Sequence, residues 1–198
     1  MTALTQDLIS QLQGAPLQQI AGQLGVDPAQ ASSAVGAALP LLMGALGRNA
    51  SQPDGAQALL GALQNNHSGL DVGSVLGAVL GGGGGAATNG AGILGHLFGG
   101  QQSRAESGVA QATGLSGAQS GQLMAMLAPI VMAYLGKRAA GQGASAAGLS
   151  QLLGQEQTAL RQQGGGLQGL LDQDGDGQLG LGDVLKLGAG LLGGGGGR

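Results

Sequence analysis

One segment of the chain occurs twice. Ala38-Leu39-Pro40-Leu41-Leu42-Met43-Gly44-Ala45-Leu46-Gly47-Arg48 reads onto Leu127-Ala128-Pro129-Ile130-Val131-Met132-Ala133-Tyr134-Leu135-Gly136-Lys137 at an offset of 89 residues. Upstream, Ile20-Ala21, Gly25-Val26 and Ala29-Gln30 match Val109-Ala110, Gly114-Leu115 and Ala118-Gln119 at the same offset. A fixed offset held over such a stretch indicates two homologous units, so whatever one unit folds into constrains the other.

Each unit reads as a helix, a turn and a longer helix. The first helix (Leu17 to Leu24; Arg104 to Thr113) stops at a glycine, Gly25 or Gly114, as a helix C-terminus does. Asp27 or Ser116 then offers an N-cap oxygen, and Pro28 suits a first helical turn. The longer helix runs to about Leu46 or Leu135 and carries Pro40 or Pro129. Proline there removes one ladder hydrogen bond and predicts a kink. Leu39, Leu42, Met43 and Leu46 share one face at helical spacing, as do Leu123, Met126, Leu127 and Ile130. A further helix follows each unit, near Pro53 to Leu63 and Ala144 to Leu153. No strand alternation appears. The reading is all-α: two homologous helix-turn-helix-like units joined by glycine-rich linkers, with a lone EF-hand-type loop near the C-terminus.

Glycine supplies 45 of the 198 residues, and the aromatics are Phe98 and Tyr134 alone. The core must therefore come from Leu, Ala, Val, Ile and Met. Each glycine inside a helix costs about 1 kcal/mol relative to alanine, so short helices and modest stability are expected. Glycine runs set the boundaries: residues 1–80 as the first unit, 81–92 as a linker, 93–163 as the second unit, 164–192 as the loop and its exiting helix, and 193–198 as a tail. There is no cysteine and hence no disulfide framework. The first residues lack a basic region followed by an apolar run, so no signal peptide is read. The apolar stretch Leu123 to Leu135 is short for a membrane span and contains Pro129. The expected location is the cytoplasm.

The clearest chemistry lies in Asp172-Gln173-Asp174-Gly175-Asp176-Gly177-Gln178-Leu179-Gly180-Leu181-Gly182-Asp183, which fits the EF-hand loop in order. Asp172, Asp174 and Asp176 stand at positions one, three and five, and Gly177 occupies the sharp turn at six. Gln178 presents its backbone carbonyl at seven, water fills the site at Gly180, and Asp183 closes the loop at twelve. A hard cation takes six to eight oxygens, and alternating carboxylates on a tight loop converge on one point. These four aspartates are a large share of the chain's ten acids; without them the formal net charge of −3 becomes +1. Aspartate at position twelve is one methylene shorter than the usual glutamate, which weakens calcium and admits magnesium. Gly164-Gly165-Gly166 leaves only a short entering segment from Leu167 to Leu171. In both respects the loop resembles dockerin-type repeats more than paired calcium sensors.

Other features are plainer. Ala21 to Ala31 has a helix-turn-helix look, repeated in the second unit, but Ala29–Leu46 and Gly117–Leu135 contain no basic residue. Phosphate contacts by Lys or Arg supply most DNA affinity, so helix packing is favoured over DNA reading. His67 and His96 have no acid or cysteine at ligand spacing and read as surface or packing residues. Asn65 to Asp71, the counterpart of the calcium loop in the first unit, reads as a turn without metal. Gly81 to Gly85 lacks the Lys-Ser/Thr of a phosphate loop, and no enzyme grouping stands out. Val72 to Leu80 and Ile93 to Phe98 read as core or linker, with self-association or membrane-surface contact as the alternative.

The segments Leu39 to Leu46, Ala128 to Met132 and Gly92-Ile93-Leu94-Gly95-His96-Leu97-Phe98-Gly99, with the Asp-Gly loop, resemble the bacterial YidB-like proteins of uncharacterised function. The likeness covers most of the chain apart from linkers and tail. It implies an all-helical, homeodomain-like arrangement and no established activity. The functional expectation is a non-enzymatic, calcium-binding structural or interaction protein. The runners-up are a nucleic-acid-associated protein and a self-assembling or membrane-surface protein.

Overall fold

The structure, a computed structural model, describes residues 3–66, 70–81, 85, 88–141 and 145–162. They form helices α1 (Ala3–Leu12), α2 (Ala15–Leu24), α3 (Pro28–Ala50), α4 (Pro53–Asn66), α5 (Val72–Leu80), α6 (Gly90–Phe98), α7 (Gln102–Thr113), α8 (Gly117–Gly141) and α9 (Ala146–Gln162), with a 3-10 turn at Gly99–Gln101 between α6 and α7. No strand occurs among the described residues, and the all-α class holds.

The two turns form for the same local reasons. Gly25 and Gly114 end α2 and α7 in the left-handed region, at φ 66° and 72°, where a residue without Cβ is favoured. Asp27 then accepts a hydrogen bond from the Gln30 N–H at 2.9 Å. Ser116 Oγ accepts one from the Gln119 N–H at 3.2 Å, while Gln119 Oε1 accepts from the Ser116 N–H at 2.9 Å. The second pair is a capping box, each residue satisfying a donor the helix leaves open.

The long helices exceed the short ones expected from glycine content. α3 has 23 residues and α8 has 25, each continuing through its proline. Burial outweighs propensity: α3 places Ala34, Val35, Ala38, Leu39, Leu42, Met43 and Leu46 in the core, and α8 is buried almost continuously from Leu123 to Gly136. Glycine here also permits close approach. A Cβ on Gly47 would stand 3.4 Å from the Leu153 carbonyl of α9, so α3 and α9 pack with little between their backbones.

Both repeats feed one core. The hydrophobic cluster runs from Leu4 through Leu46 and Val75 to Leu153. α3 lies against α7, α8 and α9, while α8 lies against α5, α6 and α7. Val72–Leu80 and Ile93–Phe98 fall within or on helices whose Val72, Val75, Leu76 and Leu94 are buried. α6 begins at Gly90, inside the stretch read as linker, because its N-terminus sits directly on α8: a Cβ on Gly90 would run into the Ala125 carbonyl.

Candidate functional site

The repeat is also a contact. Gln30 and Gln119 hold the same position in the first turn of α3 and α8, 89 residues apart. The Gln119 side-chain amide donates to the carbonyl of Leu24, the last residue of α2, at 2.9 Å. The Gln30 amide donates to the carbonyl of Thr113, the last residue of α7, at 3.4 Å. Leu24 and Thr113 are themselves 89 residues apart. Residues at the same position of the sequence repeat thus make corresponding bonds across the two turns. Each glutamine satisfies a C-terminal carbonyl that its helix cannot.

A second polar centre ties α1 to the far end of the chain. Glu156 on α9 is 5% exposed, and its Oε1 accepts from the Thr5 N–H at 3.1 Å and the Thr5 hydroxyl at 2.8 Å. Thr5 lies in the first turn of α1, where N–H groups have no helical partner and the helix dipole favours a carboxylate. Glu156 thus acts as a cap supplied from 151 residues away. Nearby, the Tyr134 hydroxyl donates to Asp7 Oδ2 at 2.7 Å, and Arg138 Nη1 stands 3.7 Å from the same oxygen. Burial pushes the Tyr134 phenol well above its ordinary range, and the Asp7 hydrogen bond and charge push the same way. Ser150 Oγ donates to the carbonyl of Ala50, the last residue of α3, at 2.7 Å. A groove of about 560 Å³ follows this seam, lined by Leu4, Arg138, Gln151, Leu152, Gln155 and Glu156 among others.

This chemistry pins helices, and it was not readable from sequence. The spacing holds a signal for α1, since Leu4, Leu8 and Leu12 recur every four residues and are buried. Nothing local marks Glu156 as buried, because its partner is on another helix.

The EF-hand-type residues Asp172, Asp174, Asp176, Gln178 and Asp183 lie outside the described residues, as does His67. Among the described residues, no three His, Asp or Glu side chains gather as a metal site. His96 is exposed on α6. At the helix-turn-helix turn, α3 exposes Ala29, Ser32 and Ser33, and α8 exposes Ala118 and Gln122. In the first repeat's turn before α5, Asp71 is engaged as an N-cap. The Ser74 N–H at 2.8 Å and then the Ser74 hydroxyl at 2.9 Å hold its carboxyl below the usual carboxylate range.

α3 and α8 are long and apolar enough to cross a membrane, with 56% and 72% of their most apolar windows buried inside the fold.

Residues 6–138, two thirds of the chain, match the family described as "Bacterial protein of unknown function (DUF937)", and the chain belongs to that family. The match spans α1 to α8 and ends before α9 and the aspartate loop. No curated protein and no solved structure matches.

Proposed function

We propose that this member of the family is a non-enzymatic helical scaffold that carries a calcium site at its C-terminal end. The observation behind the reading is the ligand order of Asp172, Asp174, Asp176, Gln178 and Asp183 around Gly177, which is the order a hard cation needs. The body supports it indirectly. Among its described residues, the buried or half-buried polar groups of Glu156, Tyr134 and Gln119 each bond to another helix. Calcium is the main ligand, with magnesium as a competitor at a loop closed by Asp183.

The finer likeness to YidB-like proteins belongs to this proposal and adds no activity. In this reading α3 and α8 are core helices of a cytoplasmic protein, which the burial of 56% and 72% of their most apolar windows supports. Nucleic-acid binding is disfavoured because the helix-turn-helix faces present serine, alanine and glutamine, which supply no counterion release.

Equilibrium dialysis against radioactive calcium tests the reading. One calcium bound per chain, lost in Asp172→Ala with Asp176→Ala, is the expected result. No retained calcium at millimolar concentration overturns it.

A further inference from the structure

The long helix of the second repeat is more deeply covered than that of the first. In the second repeat, α8 presents Met126, Pro129, Ile130 and Ala133 along one face, and all are buried. α5 and α6 are among the helices that pack on α8. The same face of α3, 89 residues earlier, is Ala37, Pro40, Leu41 and Gly44, and there Ala37, Pro40 and Leu41 are only half-buried.

α5 belongs to the first repeat and packs on the second repeat's long helix. Its counterpart should therefore pack on α3. The sequence holds one. Asp71-Val72-Gly73-Ser74-Val75-Leu76-Gly77-Ala78-Val79-Leu80, followed by five glycines, aligns with Asp183-Val184-Leu185-Lys186-Leu187-Gly188-Ala189-Gly190-Leu191-Leu192, also followed by five glycines. Val72 and Val75, which α5 buries, and Val79, which it half-buries, fall on Val184, Leu187 and Leu191. The aligned aspartate, Asp71, is the N-cap of α5.

We propose that Asp183–Leu192 is the second repeat's counterpart of α5 and docks on the Ala37–Pro40–Leu41 face of α3. The chain reaches this face readily. α9 lies against α3 and ends at Gln162, and the 20 intervening residues can span up to about 66 Å extended. Only four residues join α4 to Asp71 in the first repeat. The aspartate loop thus occupies the insertion that distinguishes the two connections, and its last residue is the first of the docking segment.

The docking claim stands apart from the calcium reading, and its test is read in both chelator and excess calcium. The chain contains no cysteine, so Leu41→Cys with Leu187→Cys in the full-length protein carries the only two thiols. A short bismaleimide should join them within one chain in high yield in at least one of the two conditions. Ser32→Cys with Leu187→Cys is the comparison, because Ser32 is exposed on the opposite side of α3, and its yield should be several-fold lower. Equal yields for the two pairs, or no intramolecular product in either condition, overturns the proposal. Should the cysteine pair disturb folding, Leu187→Asp in an otherwise unchanged chain gives the second measurement. Faster amide exchange confined to α3 around Pro40 supports docking, and unchanged exchange there overturns it.

Discussion

Gln30 and Gln119 each close the end of a helix in the other's repeat, at 3.4 Å to the Thr113 carbonyl and 2.9 Å to the Leu24 carbonyl. The pair gives the sequence repeat a physical use: a carbonyl left open at the end of each short helix is satisfied by a glutamine of the other segment. The two bonds are unequal, and Gln119 also completes a capping box with Ser116.

Their substitutions should differ accordingly. A net hydrogen bond contributes about 1 kcal/mol and a cap about the same. Gln119→Ala is expected to cost about 1–2 kcal/mol and Gln30→Ala less than about 1 kcal/mol. Urea unfolding of both variants checks the order; a larger loss for Gln30→Ala would contradict it.

Glu156 serves two donors of one residue, Thr5. Glu156→Ala removes both bonds from a buried place, at about 1–3 kcal/mol for each. Glu156→Gln keeps an acceptor oxygen and should cost clearly less. Thr5→Val loses the hydroxyl bond but keeps the N–H bond, for about 1 kcal/mol. Denaturation midpoints for the three variants should fall in that order, with Glu156→Ala lowest.

Tyr134 is the chain's single tyrosine, so its ionisation can be followed by phenolate absorbance alone. Burial first, and then the Asp7 hydrogen bond, raise its pKa in the folded protein. Its stabilising contribution is therefore complete below the ordinary tyrosine value of about 10 and is lost as pH rises above it toward the folded value. Phenolate absorbance should appear at higher pH in the native protein than in urea. Tyr134→Phe should lack this alkaline loss, so that the stability difference from wild type changes across that window.

Two glycines separate close approach from mere tolerance. Gly90 abuts the Ala125 carbonyl, whereas nothing lies within 4 Å of a Cβ on Gly61 in α4. Gly90→Ala is expected to destabilise by about 1–3 kcal/mol as overpacking does, and Gly61→Ala to stabilise by about 0.5–1 kcal/mol through helix propensity. Thermal melts of the two variants should shift in opposite directions.

The parts of the fold legible in sequence are those set by neighbours along the chain. Gly25, Asp27, Gly114 and Ser116 announce their turns because capping is local. The repeat announced α3 and α8. What stayed hidden depends on distant partners. α1 carries Gln6, Asp7 and Gln11 between its leucines, and its anchoring acceptor is on α9. The helices α5 and α6 were obscured by glycine, whose cost in a helix is offset here by packing on α8. The length of α3 and α8 was underestimated for the same reason: burial outweighs the propensity loss at Gly44, Gly47, Gly121 and Gly136.

The central claim is that Asp172 to Asp183 takes up calcium, and calorimetric titration of the full chain addresses it most directly. Calcium should give one binding event per chain, magnesium a weaker one at the same site, and Asp172→Ala with Asp176→Ala neither. Absence of heat from wild-type protein at millimolar calcium, or equal heat from the double variant, would contradict the account.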